Sequence, residues 1–498
     1  MTDETSANIG VLFVHGIGSQ QPGATLRGFG GPLIESVGRW LGEGNVERTA
    51  PSRPSDGPEH ERLRIADGDR EIEVLAAESC WADTVRRPSY FALLAWLCTA
   101  VPFLVTRGLD TGLRRTNRTI DKQLTRPDDR AARPRSALGA VRILGLTAVR
   151  LLQNVVVVVV SLASLVLLFV FGAFGLSWWL RRLPGIVVSY VGDSYALLRD
   201  DGSAAAMTER VRRDLSWLQK RVGPAPVVVV AHSQGAEVVR RVLSRRDAPP
   251  VAALVTFGSG IEKLDAVDRL RHSLGRSLLA FATRIGSVAA LALAVVAAVD
   301  GRPWWWIVVL GAIAFASLTA ARALLRSIVG AEYDATRLGV GPSQVTRWTD
   351  LYATSDPVSE GALPLGSLGS SREIVNRRLI FTDHTSYWQN VEAFRAAVAV
   401  EIARAVRWWD EIAEPARIVE AATERARRVW WLVGARWIAV AGAVTVWLAL
   451  GRGALAGVGL AAGALVVAFA AEVAWRKWSN RYTDAEYRER AARQLTTV

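Results

Sequence analysis

Ser233 lies at the centre of the segment Ala231-His232-Ser233-Gln234-Gly235, which follows an apolar run and opens a stretch of helical periodicity at 234–246. A sharp turn from strand to helix exposes a serine hydroxyl above a sheet, and the first N–H groups of the helix can stabilise an oxyanion. Small residues are needed two positions before and after the serine, because strand and helix pass closely there. The pattern predicts Ser233 as a nucleophile and the N–H of Gln234 as an oxyanion donor, with an ordinary strand-to-helix turn as the alternative.

A second glycine-containing turn, His15-Gly16-Ile17-Gly18, ends the first apolar run of the chain. Such a turn is also typical of phosphate sites, but Gln21 stands where the G-x-G-x-x-G pattern has its last glycine. Beside a nucleophilic serine, the turn is better interpreted as the source of a second oxyanion donor, the N–H of Ile17. We expect His15 to shape this turn rather than to act as a base.

A nucleophilic serine needs a neutral imidazole as general base and a carboxylate that orients the imidazole. Of the five histidines, His384 is the one that follows a predicted strand and lies C-terminal to both partners. The others lie in tight turns (His15, His232), a polar loop (His60) and a charged helix (His272). We expect Asp356, directly before Pro357, to orient His384. The competing acids are Asp193, Asp350 and Asp383.

Short β-branched runs that alternate with helical segments must position these residues. The predicted strands are 9–14, 71–76, 226–231, 251–257, 345–353 and 376–381, and helical periods occupy 204–221 and 234–246. Apolar strands separated by helices are typical of a parallel sheet covered on both faces. The predicted fold class is therefore α/β, with a doubly wound, mostly parallel sheet. Residues 50–60, rich in Pro, Gly and Ser, predict an exposed loop.

Long uncharged runs interrupt this pattern. Half of the 498 residues are apolar, 21% are charged and the mean hydropathy is +0.20, so charge is segregated along the chain. This composition excludes disorder, fibres and a small disulfide scaffold, since Cys80 and Cys98 are the only cysteines. The apolar run 155–180 and the paired runs 278–299/303–321 and 430–450/453–471 are long enough to cross a bilayer core of ~30 Å. Tryptophans cluster at their ends, as in interfacial belts.

The chain is thus expected to consist of core blocks and membrane inserts. The core blocks are 1–88, 183–277 and 326–428; the inserts are 89–182, with a basic loop, and the transmembrane hairpins 278–325 and 429–475; a charged tail occupies 476–498. The run 89–107 contains Pro102, and whether it crosses the bilayer or is re-entrant stays open. Each insert follows a sheet element, so we expect the inserts to bring the site close to the bilayer.

The net charge of +13 is concentrated in one segment. Residues 107–150 hold eleven Arg and Lys against four Asp, a net of +7. An anionic lipid surface explains this excess better than nucleic acid, for which the chain shows no recognised module. Basic loops stay on the cytoplasmic side, and no secretory signal pattern opens the chain. We therefore expect a multi-pass protein of the cell membrane whose catalytic part faces the cytoplasm.

The segments VLFVHGIGSQQPG, VVAHSQGA, ATSDPVS and TDHTSYW together resemble the α/β-hydrolase superfamily, in its lipase- and esterase-like branch. Within it, the chain is similar to membrane-embedded hydrolases of high-GC bacteria. The resemblance covers the three core blocks. It implies an eight-stranded sheet, a two-step acyl-enzyme mechanism without a cofactor, the triad Ser233, Asp356 and His384, and an oxyanion hole formed by Ile17 and Gln234. Two departures are Ala231, where glycine is usual, and the insert at 88–182, where the connection is normally short.

The expected function is that of a membrane-anchored serine hydrolase that cleaves an ester or thioester, with a lipid-like acyl substrate. The expected partners are membrane lipids and a small-molecule or lipid ester, with no nucleic acid, metal or cofactor. An inactive scaffold on the same fold is the main alternative. A transporter is disfavoured because the apolar runs hold few polar residues besides Gln153 and Asn154. The acyl group, the leaving group and the oligomeric state stay open.

Overall fold

The fold is taken from a computed structural model, which covers the core blocks and one of the apolar hairpins. It describes residues 7–34, 46–48, 57–104, 192–270, 273–329 and 335–406, less positions 19, 32, 68–69, 87, 90–91, 94, 98–99, 101–102, 354–355 and 377–382, and also residues 158–159, 162–163 and 166. The predicted basic loop 107–150, most of the run 155–180, the predicted hairpin 429–475 and the tail 476–498 lie outside the described residues.

Eight strands form one sheet in the spatial order β2-β3-β4-β1-β5-β6-β7-β8. Their bounds are β1 Ile9–Val14, β2 Val46–Arg48, β3 Glu59–Asp67, β4 Arg70–Ser79, β5 Val227–His232, β6 Ala253–Phe257, β7 Trp348–Ala353 and β8 Gly369–Ile374. The six strands from β4 to β8 in that spatial order pair in parallel, and β3 pairs antiparallel with both β2 and β4. The predicted α/β class with a mostly parallel sheet is confirmed.

Helices cover both faces of the sheet. Their bounds are α1 Asp201–Val222, α2 Gln234–Leu243, α3 Ile261–Arg269, α4 Leu274–Val299, α5 Trp304–Val329 and α6 Ala396–Ala405. Side chains of β1 alternate between two apolar clusters: Leu12 packs with residues of α1 to α3, whereas Phe13 packs with residues of α6. Both faces of β1 are therefore buried, which is why its sequence is apolar throughout.

Three strands, β2, β3 and β8, are not apolar runs and were not predicted from the sequence. β3 is antiparallel and exposes one face, on which Arg62 and Arg64 pair with Glu73 and Glu71 of β4. β8 is an edge strand with a mostly exposed or half-buried sequence, and β2 has only three residues. The predicted loop 50–60 is corrected at its end, because Glu59 and His60 begin β3. The predicted strand 376–381 lies almost wholly outside the described residues.

The helices α4 and α5 form an antiparallel pair joined by a tight turn at 300–303. In α4 the Ser287 hydroxyl donates to the Ala314 carbonyl of α5 (2.7 Å), and near the core Arg276 donates to the Ser327 carbonyl. Both helices are long and apolar enough to cross a membrane. Of the most apolar 18-residue stretch of each helix, only 28% is buried in α4 and 17% in α5. Exposed apolar surface of this kind distinguishes them from core helices of a soluble protein.

This helix pair is attached at the amino-terminal edge of the sheet. Helix α3 follows β6 in the chain and leads into α4. After α5, the carbonyl of Leu338 accepts from Arg240 near the end of α2, and Val345 bridges to Val251, which precedes β6. The chain then enters β7. The α4–α5 pair therefore joins the sheet at the edge opposite to the carboxyl ends of the strands.

Candidate active site

Ser233 occupies a strained turn between β5 and α2. Its φ of 54° is positive, and it is the one non-glycine residue with this conformation in the part of the chain that the structure describes. Such a backbone costs about 1–3 kcal/mol and persists only where neighbours hold it. Here the Ser233 N–H donates to the Phe257 carbonyl (3.1 Å), and the Ser233 carbonyl accepts from the N–H of Gly260 (3.2 Å). The loop after β6 thus holds the serine above the sheet.

Two glycines allow the turn after β1 to approach Ser233. A β-carbon on Gly235 would overlap the carbonyl oxygen of His15, and one on Gly16 would lie 2.7 Å from the Ser233 β-carbon. The small residue predicted at position 235 is therefore needed because the turn at 15–16 lies directly against it. Ala231, which stands where glycine is usual, is fully buried in β5.

Ser233, His384 and Asp356 come together at the carboxyl edge of the sheet. His384 Nε2 lies 2.9 Å from Ser233 Oγ, and His384 Nδ1 lies 3.0 Å from both carboxylate oxygens of Asp356. Asp356 follows β7 and is 3% exposed, Ser233 is 1% exposed, and the His384 side chain retains 14% of its exposure. Hydrogen bonds thus link Asp356 to His384 and His384 to Ser233, which is the pairing that the sequence predicts.

The surroundings of Asp356 keep it ionised. Burial alone raises its pKa, but the hydrogen bond from His384 and the electrostatic interaction with its imidazole outweigh burial and bring the pKa to about 2. The N–H of Val358 (2.7 Å) and the Tyr387 hydroxyl (2.8 Å) also donate to it. Because an ionised carboxylate only accepts hydrogen bonds, Nδ1 of His384 carries the proton and Nε2 is left to accept from Ser233.

Tyr387 is a site residue that sequence reasoning missed. Its hydroxyl accepts the Ala353 N–H at the end of β7 (2.8 Å) and donates to Asp356 Oδ2. The ring is fully buried, and burial together with the charge of Asp356 raises the pKa of the phenol well above its ordinary value. Tyr387 is therefore a neutral donor that ties Asp356 to the strand. The available signal was its position in TDHTSYW, because a buried tyrosine hydroxyl needs a partner.

His232 contacts both the ring and the backbone of His384. Its ring stacks between those of Phe257 and His384, each at 4.7 Å between centroids, and its Nε2 lies 3.2 Å from the His384 carbonyl. Burial and the neighbouring His384 lower the pKa of His232 to about 3, so its ring is neutral at physiological pH. A neutral ring with its proton on Nε2 donates to that carbonyl. His232 thereby holds both the ring and the backbone of His384 in place.

The two predicted oxyanion donors belong to residues near Ser233: Gln234 follows it in the chain, and Ile17 follows Gly16, which packs against it. Gln234 is the first residue of α2, where helical geometry leaves the backbone N–H without a partner in the helix. Ile17 is half-buried in the turn after β1. His15 accepts the Trp81 N–H at Nε2 (3.2 Å) and contacts the Gly16 carbonyl through Nδ1 (2.6 Å), and burial lowers its pKa to about 4. Its contacts are those of a residue that shapes the turn.

The competing acids contact other groups. Asp350, in β7, accepts from the hydroxyls of Thr256 and Ser371, both at 2.7 Å. Asp193 accepts the Gly18 N–H, and the Asp383 carbonyl accepts from Asn376. Asp356 is therefore the acid beside His384 Nδ1. Within the described ranges, no group of three His, Cys, Asp or Glu residues is arranged to hold a metal ion.

Comparisons of the chain with protein-family models, with curated proteins and with solved structures find no match. The class that fold and site define is therefore an α/β protein with a hydrogen-bonded Ser-His-Asp group at the carboxyl edge of its sheet.

Replacing Tyr387 by phenylalanine tests its support of Asp356. The ring packing is kept, but Asp356 loses a donor and the buried Ala353 N–H loses its acceptor, a cost of about 1–3 kcal/mol. We expect Tyr387→Phe to lower the thermal midpoint and to slow phosphonylation of Ser233 by a fluorophosphonate about tenfold. Tyr195→Phe removes a hydroxyl elsewhere and should change neither quantity. Wild-type values for both quantities in Tyr387→Phe would contradict this role.

Replacing Gly235 by alanine tests the close approach at the serine turn. The added methyl group meets backbone at His15, which cannot move without displacing the turn beside Ser233. We expect Gly235→Ala to slow phosphonylation of Ser233 by at least about 100-fold, the effect of an ångström-scale misplacement. Gly28→Ala, which meets nothing within 4 Å, is the matched control. Equal labelling rates in the two variants would show that the approach is not needed.

Proposed function

We propose that this protein is a serine hydrolase of the α/β-hydrolase type that cleaves an ester or thioester through an acyl-enzyme on Ser233. The observation that carries the proposal is the continuous chain from Asp356 through His384 to a serine held at positive φ. Strain of this kind has to be maintained by neighbours and is a feature of functional sites. The eight-stranded sheet, the serine turn after β5 and the acid after β7 also support this fold family.

In the first half-reaction, Ser233 Oγ attacks the carbonyl carbon of the substrate while its proton passes to His384 Nε2. The electron pair of the carbonyl bond moves to the oxygen, where the N–H groups of Ile17 and Gln234 stabilise the negative charge. The carbonyl then re-forms and the bond to the leaving alkoxide or thiolate breaks. His384 donates its proton to that leaving group, and the acyl group stays on Ser233.

In the second half-reaction, water replaces the serine as nucleophile. His384 accepts a proton from the water as its oxygen attacks the acyl carbon, and the same N–H groups stabilise the second oxyanion. When this intermediate collapses, the bond to Ser233 breaks and His384 returns the proton to Oγ. The products are a carboxylic acid and an alcohol or thiol. Asp356 stays ionised throughout, because its pKa of about 2 lies far below neutrality.

The proposed substrate is a lipid-like acyl compound taken from the bilayer. The insert that begins at 89 leaves the core after β4 and rejoins it before Asp193, and both points lie at the edge that carries Ser233. Its described residues after Ser89 are apolar, and Leu93, Trp96 and Phe103 pack with the core cluster that contains α1. An apolar insert at the site edge provides a surface along which an acyl chain can reach the serine.

Labelling with a fluorophosphonate tests the enzyme proposal. The reagent phosphonylates a serine that is activated as described, so wild-type protein in native membranes should be labelled at Ser233. Ser233→Ala should abolish labelling and reduce hydrolysis of p-nitrophenyl butyrate by on the order of 10⁵-fold or more. Ser244→Ala, an exposed serine after α2, should behave as wild type. An unlabelled wild type with a normal thermal midpoint would refute the enzyme and favour a scaffold on this fold.

We also propose that the chain is multi-pass and that the sheet faces the cytoplasm. In this arrangement the turn between α4 and α5 reaches the opposite side of the membrane. In a background without Cys80 and Cys98, a membrane-impermeant maleimide should label Arg302→Cys only from the outer face. It should label Ser244→Cys, on the sheet domain, only from the inner face. Labelling of both positions from one face would contradict a spanning hairpin.

A further inference from the structure

Asp193 is a buried carboxylate that the proposed reaction does not use. It is 8% exposed, and burial raises its pKa to about 6 although the Gly18 N–H partly offsets this. Among the described residues, no Lys or Arg lies within ion-pair distance of it. A buried carboxylate without a cation is costly for stability. Its presence therefore calls for a reason other than folding.

The carboxylate of Asp193 holds the turn after β1. Its Oδ2 accepts the Gly18 N–H at 2.9 Å, and Gly18 has a φ of 128°, which favours glycine. Because the peptide unit is planar, a fixed Gly18 N–H also fixes the carbonyl of Ile17 and restricts the rotation between the two peptides of Ile17. The peptide that carries the Ile17 N–H, the expected oxyanion donor, is therefore joined to an anchored neighbour, and φ and ψ of Ile17 are the only rotations between the two.

The backbone beside Asp193 holds the second donor. The Gln234 side chain donates from Nε2 to the Asp193 carbonyl (3.1 Å) and accepts at Oε1 from the Ser194 hydroxyl (2.8 Å). Both ends of this amide are therefore bonded to two consecutive residues. Since Gln234 opens α2, these bonds fix the residue whose N–H is expected to face the oxyanion.

We propose that Asp193 is a positioning residue of the oxyanion hole, which joins the Ile17 turn and Gln234 so that both N–H groups keep their direction during the reaction. This inference rests on the proposed hydrolase function. A charged acceptor suits the role because a hydrogen bond from N–H to a carboxylate is shorter and stronger than one to a neutral oxygen. Asp193 does not act through His384, whose Nδ1 is bonded to Asp356.

The saturation kinetics of fluorophosphonate labelling test this role in the full-length protein. The phosphonyl oxygen enters the oxyanion hole only in the chemical step, so the maximal rate constant reports on the hole and the half-saturation concentration reports on binding. We expect Asp193→Ala to lower the maximal rate constant about 100-fold with unchanged half-saturation. Asp193→Asn keeps an uncharged acceptor and should lose about tenfold. Asp201→Asn removes an exposed aspartate of α1 and should match wild type.

The end point of labelling separates positioning from folding. If Asp193 positions the donors, both Asp193 variants reach the wild-type labelled fraction, only more slowly. A smaller labelled fraction with an unchanged rate constant would assign Asp193 to folding and overturn the proposal, as would a wild-type rate constant in Asp193→Ala. If wild-type protein is not labelled at all, the hydrolase function fails first, which is distinguishable from a labelled wild type with an indifferent Asp193.

Discussion

The positive φ of Ser233 is the constraint on which the rest of the site depends. This backbone conformation of a serine is unfavourable in itself, so interactions with neighbouring residues must offset its free-energy cost. The last residue of β6 and the loop after it bond the N–H and the carbonyl of Ser233, and the turn after β1, which contains Gly16, packs against Ser233 and Gly235. Both loops follow strands that flank β5 in the sheet. Parallel pairing of β1, β5 and β6 therefore brings the restraining loops to the same edge as the serine.

Burial without compensation by cations gives the site its electrostatic character. Asp356 is the one buried acid there whose pKa falls, because His384, Tyr387 and a backbone N–H all stabilise its charge. Burial raises the pKa of Asp193 only to about 6 and lowers that of His232 to about 3, so at pH 7 Asp193 is an anion and His232 is neutral. A single full negative charge at Asp356 thus faces His384, where the proposed mechanism develops a positive charge. The neutral rings of His232 and Tyr387 orient this pair without adding competing charge.

The sequence predicted those parts of the molecule that depend on local pattern. β1, β4, β5, β6 and β7 were predicted because parallel strands buried on both faces are apolar throughout, and the serine turn because it combines an apolar strand with small residues. β3 and β8 were not, since a strand with one face in water needs no apolar run. Tyr387 and Asp193 act through partners 31 and 175 residues away in the chain. Contacts between residues so far apart in the chain cannot be predicted from local spacing. The sequence did offer Asp193 as a candidate, but as the acid that orients His384.

The two inserts that meet the described core differ in where they join it, and this difference bears on how a lipid would reach Ser233. The α4–α5 pair attaches at the amino-terminal edge, whereas the insert that begins at 89 leaves and rejoins at the carboxyl edge. In the proposed membrane arrangement, one bilayer meets both attachment points, which requires strands that lie nearly parallel to its surface. In the proposed membrane arrangement, α4 and α5 anchor the protein at the edge away from Ser233. The proposed entry of an acyl chain then takes place along the insert that begins at 89, because this insert rejoins the described core next to Asp193.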